Sequence, residues 1–242
     1  MDVHGEIARL ARVLHGAVDR DVSPNRVLDE ITRSAVDVLS PVDHAGITLV
    51  RRHHAGGRAT LQTSATSDHV ARRFDELQHE VDDGPCFEAI WQHRTVQIDD
   101  METEDRWPRL TAATLKQTPI RSTLSMQLYI EKLDLGALNL HSHAPHAFDE
   151  DTQDLALVLA THAAIALSTA RRGEHFRSAL ASRDIIGQAK GMIMERFGVD
   201  AVAAFTMLRQ LSQESNIALA EVAAQMVNIE HPRVTQRDTS TT

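Results

Sequence analysis

Cysteine and aromatic residues are scarce in this chain. Cys86 is the one cysteine among 242 residues, which excludes an internal disulfide and fits a reducing compartment. Aromatic residues make up only 4% of the chain, so Trp91 and Trp107 either line a ligand pocket or supply the main bulk of a small core. No apolar run follows the polar N-terminus, where Asp2 and Glu6 stand. We therefore expect neither a signal peptide nor a membrane anchor, and we predict a cytoplasmic protein.

Positive charge is also in short supply. The chain carries 25 lysines and arginines against 34 acidic residues, a net charge of −9. This balance argues against a general polyanion binder, because non-specific affinity for nucleic acid comes mainly from cations that neutralise phosphates. Residues 183–228 hold four basic and five acidic residues. Any RNA binding by that segment must therefore depend on a few well-placed contacts.

The first two thirds of the chain predict an α+β domain. Residues 4–39 read as two helices; Ser23 is a good N-cap for the second, Pro24 suits its first position, and Ser40-Pro41 ends it. Short extended runs then follow one another, with a hairpin turn predicted at Lys132–Leu135 and Gly136. These runs are AGITLV, ATLQTSAT, TVQIDD, STLSMQLYI and GALNLHSH. Strands flanked by helices at both ends indicate an antiparallel sheet in an α+β sandwich.

Three short motifs in this region carry a family resemblance. They are GPC at 84–86, RWP at 106–108 and GALNL at 136–140. Their order resembles that of GAF domains of the actinobacterial type, over about residues 20 to 170. GAF domains are small-molecule sensors and dimerisation modules, usually without catalytic activity, and the resemblance implies those properties here. We assign residues 1–170 to this GAF-type domain with its N-terminal helices.

A long helix is predicted to join this domain to the rest of the chain. An apolar stripe wide enough to face both the sheet and a partner helix runs through residues 150–180. Gly173 interrupts it at a cost of about 1 kcal/mol, which a packed helix tolerates. We expect a nearly continuous signalling helix, with residues 171–182 as the linker.

Residues 183–228 predict three short helices. Gly198 follows where the first should stop, and Asp200 is placed to cap the second. The apolar positions of the three helices are Ile186, Ala189, Ile193 and Phe197, then Ala204, Phe205, Leu208 and Leu211, then Leu219, Val222, Ala223, Met226 and Val227. This segment resembles the ANTAR domain, an RNA-binding three-helix bundle of bacterial antitermination regulators. The matching elements are AKG at 189–191, Met194, Phe205, LR at 208–209, Asn216, Leu219 and VA at 222–223. The tail at 229–242 is polar, and we expect it to be disordered.

The ANTAR resemblance implies RNA contacts at Lys190 and Arg209, where the alternative is a solvated helix face. Ala189 and Asn216 complete the candidate RNA-binding set. Ala189 permits close helix approach, and Asn216 is expected to order the turn before the third helix through side-chain bonds to the backbone.

In the GAF-type domain the ligand-sensing candidates are Cys86, Trp107 and Arg121. Cys86 is read either as a redox-sensitive thiol near a helix start or, more simply, as a small buried hydrophobe. His141, His143 and His146 are close together, but their spacing is loose and no metal site is predicted.

We find no catalytic constellation either, so an enzyme is not expected and no cofactor is indicated. The combined expectation is a dimeric, cytoplasmic regulator. Its GAF domain would sense a small molecule or a redox signal, and its ANTAR domain would bind RNA hairpins in a nascent transcript and cause antitermination. The alternative is a GAF-based dimerisation or protein-interaction module that has lost RNA binding. The stretch Ile217–Glu221 supports that alternative, because it lacks the basic residue that the ANTAR family often carries there.

Overall fold

The computed structural model describes residues 23–51, 60–92, 95–131 and 134–230. The chain divides into two compact units, residues 1–173 and 174–242. In chain order the described elements are α1 (Pro24–Val38), β1 (His44–Arg51), β2 (Thr60–Thr66), α2 (His69–Val81), α3 (Pro85–Gln92), β3 (Val96–Ile98), α4 (Pro108–Gln117), β4 (Ser122–Glu131), β5 (Asp134–Ser142), α5 (Glu150–Phe197), α6 (Ala201–Ser215) and α7 (Leu219–Glu230). The first predicted helix, the Lys132–Leu133 part of the hairpin turn and the tail beyond Glu230 lie outside the described residues.

All five predicted extended runs are strands of one antiparallel sheet in the order β2-β1-β5-β4-β3. The predicted hairpin joins β4 to β5, but the prediction of Asp134, Leu135 and Gly136 as turn residues was wrong, because all three lie inside β5. Gly136 pairs with Leu128. A Cβ at this position would lie 2.7 Å from the Thr48 carbonyl oxygen and from a Leu49 methyl carbon. Glycine is therefore required by the close approach of β1 to β5.

One face of the sheet packs against α1 and the first part of α5. The apolar face of α1 (Val27, Leu28, Ile31, Ala35 and Val38) is buried as its spacing predicts. From α5 the buried side chains include Leu155, Leu159 and Leu167. The helix α1 ends at Val38, two residues before the predicted Ser40-Pro41 stop, with the backbone N–H of Leu39 donating to the Ala35 carbonyl.

The opposite face of the sheet is covered as well, by α2, α3 and α4. Phe74 and Leu77 of α2 form a second apolar cluster with Trp107 and Leu110. Because helices cover both faces, the first half of β4 is buried on both sides, and Ser125 is as fully buried as its neighbours Leu124 and Met126.

The helix α5 is continuous over 48 residues, through Gly173, as the apolar stripe predicts. By length and composition it is the one helix in the described ranges that could span a membrane, with a mean hydropathy of 1.2 over its most apolar window. However, 56% of that window is buried inside the protein. This burial is typical of a core helix, since Leu155, Leu159 and Leu167 pack in the sheet cluster.

Candidate functional sites

The second unit is a small helical bundle in whose core each helix pairs one alanine with one larger aliphatic residue. The end of α5 contributes Ala189 and Ile193, α6 contributes Ala204 and Leu208, and α7 contributes Val222 and Ala223. Alanine at these points lets the helix axes approach closely. Phe197, Phe205 and Leu211 were predicted on the same apolar faces, but they are 58%, 39% and 44% exposed. Three short helices bury only the centre of each stripe, so the larger residues at its edges stay in contact with solvent.

The turns of the bundle follow the predicted capping pattern. Gly198 has φ +61° directly after α5, and the Asp200 carboxylate accepts hydrogen bonds from the backbone N–H groups of Val202 and Ala203 at 3.0 and 2.8 Å. Asn216 ends α6 with φ +53°, a left-handed conformation that asparagine tolerates better than most residues. Its backbone N–H donates to the Ser212 and Gln213 carbonyls, so Asn216 orders the turn through its main chain rather than through the predicted side-chain bonds.

Lys190, Phe205 and Arg209 form a surface that we call the Phe205 surface. The Lys190 Nζ lies 5.8 Å from the centroid of the Phe205 ring, within reach of a cation–π attraction between α5 and α6. Arg209 is exposed one helical turn beyond Phe205, on the same side of α6. Within the described ranges, neither cation has an ion-pair or hydrogen-bond partner.

The other two candidate RNA-binding residues are placed differently. The Ala189 side chain is 0% exposed in the bundle core, so it acts through packing and cannot offer its side chain to RNA. Asn216 is exposed at the end of α6. Its left-handed backbone lies outside the helix, so helical periodicity does not assign its side chain to the side of Arg209.

The first unit contains a cavity of about 750 Å³ between the start of β2, the end of α2 and α3. It is lined by Thr60, Leu61, His79, Asp82, Asp83, Phe87, Glu88, Trp91 and Gln92. The volume is typical of pockets for small organic ligands. The sequence offered a signal for it in the helix CFEAIWQ, where Phe87 and Trp91 are four residues apart and therefore share a side.

The three ligand-sensing candidates are not brought together at this cavity. Cys86 is buried beside Val50 and Ile90, and burial raises the pKa of its thiol to about 12. Trp107 packs in the α2–α4 cluster, with its indole N–H donating to the Asp83 carboxylate at 3.2 Å. The Arg121 guanidinium binds the Asp100 carboxylate at 3.0 Å. Of the two tryptophans considered as pocket walls, Trp91 lines the cavity and Trp107 does not.

A buried polar cluster lies between α2 and the sheet. The Asp75 carboxylate accepts hydrogen bonds from the Thr48 and Thr63 hydroxyls at 3.4 and 3.1 Å and from the Asn139 amide at 3.3 Å. Burial nevertheless raises the pKa of Asp75 to about 7. Asn139 belongs to the GALNL motif, and its side-chain amide oxygen accepts a hydrogen bond from the Ser125 hydroxyl at 2.9 Å. The motif is thus partly explained by this structural network.

The histidines predicted not to bind metal lie in different environments. His141 is fully buried, its ring packs at a tilt of 57° against the Phe74 ring, and burial lowers its pKa to about 3. The ring of His143 contacts His44, with 2.7 Å between their Nε2 atoms, and His146 occupies a turn with φ +54°. Over the described ranges, the structure brings no three His, Cys, Asp or Glu side chains into an arrangement that could hold a metal ion.

Comparison with known families and structures agrees with this division of the chain. The GAF domain model matches residues 21–168 and the ANTAR domain model matches residues 174–227. The chain therefore belongs to the GAF family and carries an ANTAR domain at its C-terminal end. Both are regulatory domains. Comparison with curated proteins gives no significant match.

Solved structures share the fold of the first unit. The GAF domain from Acinetobacter phosphoenolpyruvate-protein phosphotransferase is 16% identical, with a TM-score of 0.50, and the match covers 69% of this chain and 93% of that one. The reduced form of fRMsr of Staphylococcus aureus is 12% identical, with a TM-score of 0.51, and the match covers 69% of this chain and 96% of that one. At these identities the similarity shows the fold alone.

Proposed function

We propose that this protein is a signal-responsive, RNA-binding regulator of transcription antitermination. The observation that carries the proposal is the Phe205 surface of the ANTAR domain, where the candidate cations Lys190 and Arg209 have no ion-pair or hydrogen-bond partner among the residues that the structure describes. Cations free to neutralise phosphates are what RNA affinity requires in a domain of low positive charge. By binding hairpins in a nascent transcript in the cytoplasm, the protein would prevent a competing terminator from forming.

The GAF domain supplies the signal in this proposal. The cavity bounded by Phe87 and Trp91 is its candidate ligand site, with aromatic walls and polar groups such as Asp82. A redox signal at Cys86 is less well supported, because a buried thiol with a raised pKa reacts slowly. A ligand changes RNA binding only if it binds two states of the protein with different affinity, and α5 is the element common to both domains.

A homodimer is also part of the proposal. In the first unit Leu157 and Ile165, eight residues apart on α5, are 53% and 50% exposed. In the second unit Phe176 and Leu180, four residues apart on the same helix, are also exposed. Exposed apolar residues at helical spacing are typical of a helix that packs against a second copy. Light scattering of the wild type should give twice the mass of one chain, and the Ile165→Glu variant should give the mass of a single chain.

The function is tested in two steps with the full-length protein. First, binders are selected from an RNA pool of two tandem hairpins with randomised loops. A selected hairpin is then placed so that it overlaps one strand of an intrinsic terminator, and single-round transcription measures read-through. Read-through should rise with wild-type protein and stay at the basal level with Lys190→Ala/Arg209→Ala.

The matched control is Arg109→Ala/Lys116→Ala, which removes two exposed cations from α4 of the GAF domain. This variant should behave as the wild type. Failure to enrich any RNA, or read-through that does not respond to the protein, contradicts the proposed function.

The second candidate function is a partner-docking or dimerisation module. An apolar groove of about 320 Å³ in the ANTAR domain favours it, with Phe197, Met207, Leu211 and Met226 among the lining residues. In that case Lys190→Ala/Arg209→Ala would leave function intact, whereas Leu211→Asp in the groove would abolish it.

A further inference from the structure

Phe205 is a partly exposed aromatic residue at the edge of the core of the helical bundle. Its neighbours Ala204 and Leu208 are fully buried, but the Phe205 ring is 39% exposed. Phe176 and Phe197 of the same unit are more exposed, at 71% and 58%, and what distinguishes Phe205 is the lysine beside its ring. Packing accounts for only part of the environment of the ring, because Phe205 is not among the six buried residues of the bundle core.

The surroundings of the ring are cationic. Lys190 reaches it from α5 with its ammonium group 5.8 Å from the ring centroid, and Arg209 follows it one turn later on α6. A single-stranded nucleic acid presents the complement of this arrangement, an unpaired base flanked by two phosphates. Proteins bind such strands by stacking bases on aromatic rings while lysine and arginine neutralise the backbone.

An apolar protein partner fits the same surface less well. Covering Phe205 with an apolar surface would also cover Lys190 and Arg209, and an unpaired cation that loses its water is strongly destabilised. A polyanionic partner neutralises both cations at the moment it covers the ring. The charge distribution therefore favours RNA over an apolar peptide at this surface.

We propose that Phe205 stacks on an unpaired base of the bound RNA, with Lys190 and Arg209 contacting the phosphates on either side of that base. This inference rests on the proposed RNA-binding function and assigns it a base-contacting residue. The stacked base lies in a hairpin loop, since bases within a stem are already stacked on their neighbours.

The test compares Phe205→Leu with Phe205→Trp in the full-length protein, using an RNA selected from the tandem-hairpin pool. Leucine keeps the apolar volume but has no aromatic face, whereas tryptophan keeps the face. Phe205→Leu should weaken binding by about 5- to 150-fold, the range typical of losing one base–aromatic stack, and Phe205→Trp should stay within a few-fold of the wild type.

Salt dependence separates stacking from charge. The slope of log K against log salt should be unchanged in Phe205→Leu, because no phosphate contact is lost. Lys190→Ala should make the slope shallower by about 0.7 to 0.9. In addition, 2-aminopurine placed at each loop position in turn should be quenched at one position by the wild type and not by Phe205→Leu.

The outcomes distinguish the two levels of the proposal. If no RNA from the pool binds the wild type, the proposed function fails and the stacking inference fails with it. If the wild type binds but Phe205→Leu binds equally well with the same quenching, stacking is refuted and RNA binding stands. Should Phe205→Leu lose helical circular dichroism, an abasic site at the quenched position is tested with wild-type protein. Undiminished binding of that abasic RNA overturns the inference.

Discussion

The buried carboxyl group of Asp75 makes a quantitative prediction about stability and pH. Asp75 lies on α2 against the sheet and is 1% exposed. Three hydrogen bonds from Thr48, Thr63 and Asn139 favour its charged form, but desolvation outweighs them and raises its pKa from 3.8 to about 7. The perturbation is Asp75→Asn, which keeps the shape and removes the charge.

The sign follows from the direction of the shift. The folded pKa lies above the unfolded value, so the folded protein binds this proton more tightly. The stability that this proton provides is fully present below pH 4 and is lost as the pH rises through 7. Between pH 5 and pH 8, the free energy of unfolding of the wild type should therefore fall by roughly 3 kcal/mol more than that of Asp75→Asn. That is a large fraction of the stability of an ordinary domain.

The assay is urea unfolding of both proteins between pH 5 and pH 8, followed by tryptophan fluorescence. Trp91 and Trp107 both lie in the first unit, so the signal reports on the unit that contains Asp75. The difference between the two proteins cancels contributions from other groups. His141 is one of these other groups. Burial lowers its pKa to about 3, so the stability that its neutral form contributes is lost as the pH falls below 6.5.

The exposed Asp29 on α1 provides the matched control, and Asp29→Asn should follow the wild-type curve. Parallel curves for the wild type and Asp75→Asn would refute the reasoning. They would mean that Asp75 is already solvated or fully compensated in the folded protein.

Three further predictions concern local features. The Cys86 thiol, 1% exposed and with a pKa raised to about 12, should react with a disulfide reagent at pH 8 only as the protein unfolds; rapid reaction of the folded protein would contradict its burial. Ala189→Leu should destabilise the bundle by about 1 to 3 kcal/mol in thermal melts, because it overfills a closed core. Its control, Gly191→Ala, meets nothing within 4 Å and should raise stability by up to about 1 kcal/mol. Asn216→Val should cost about 1 to 2 kcal/mol at its positive φ while Asn216→Gly is tolerated, and equal melting of the two would argue against the left-handed cap.

The elements that the sequence predicts well are those with strong local rules. The five strands stand out because extended apolar runs are bounded by turn residues. Gly198 and Asp200 mark the end of one helix and the start of the next through capping alone, which needs no tertiary information. The continuity of α5 through Gly173 also follows from its stripe.

The features that the sequence did not predict depend on contacts between distant segments. The helices α2 and α4 were not predicted, because polar residues such as Asp75 and Gln78 occupy buried positions and interrupt the apolar pattern. Those residues are tolerated only through partners on other elements, such as Asn139 for Asp75 and the Cys86 backbone N–H for Gln78. Helical periodicity likewise places Phe205 on an apolar face but not at its edge, since the limit of the core is set by the other two helices.

The central claim is that Lys190 and Arg209 bind RNA phosphates. The most direct measurement is the dissociation constant of a selected tandem-hairpin RNA for the full-length protein at two salt concentrations. It compares the wild type with Lys190→Ala/Arg209→Ala and with the control Arg109→Ala/Lys116→Ala. We expect only the first variant to lose affinity, with a salt slope shallower by roughly 1.4 to 1.8, the value for two phosphate contacts. Equal affinities and equal slopes for all three folded proteins would contradict it.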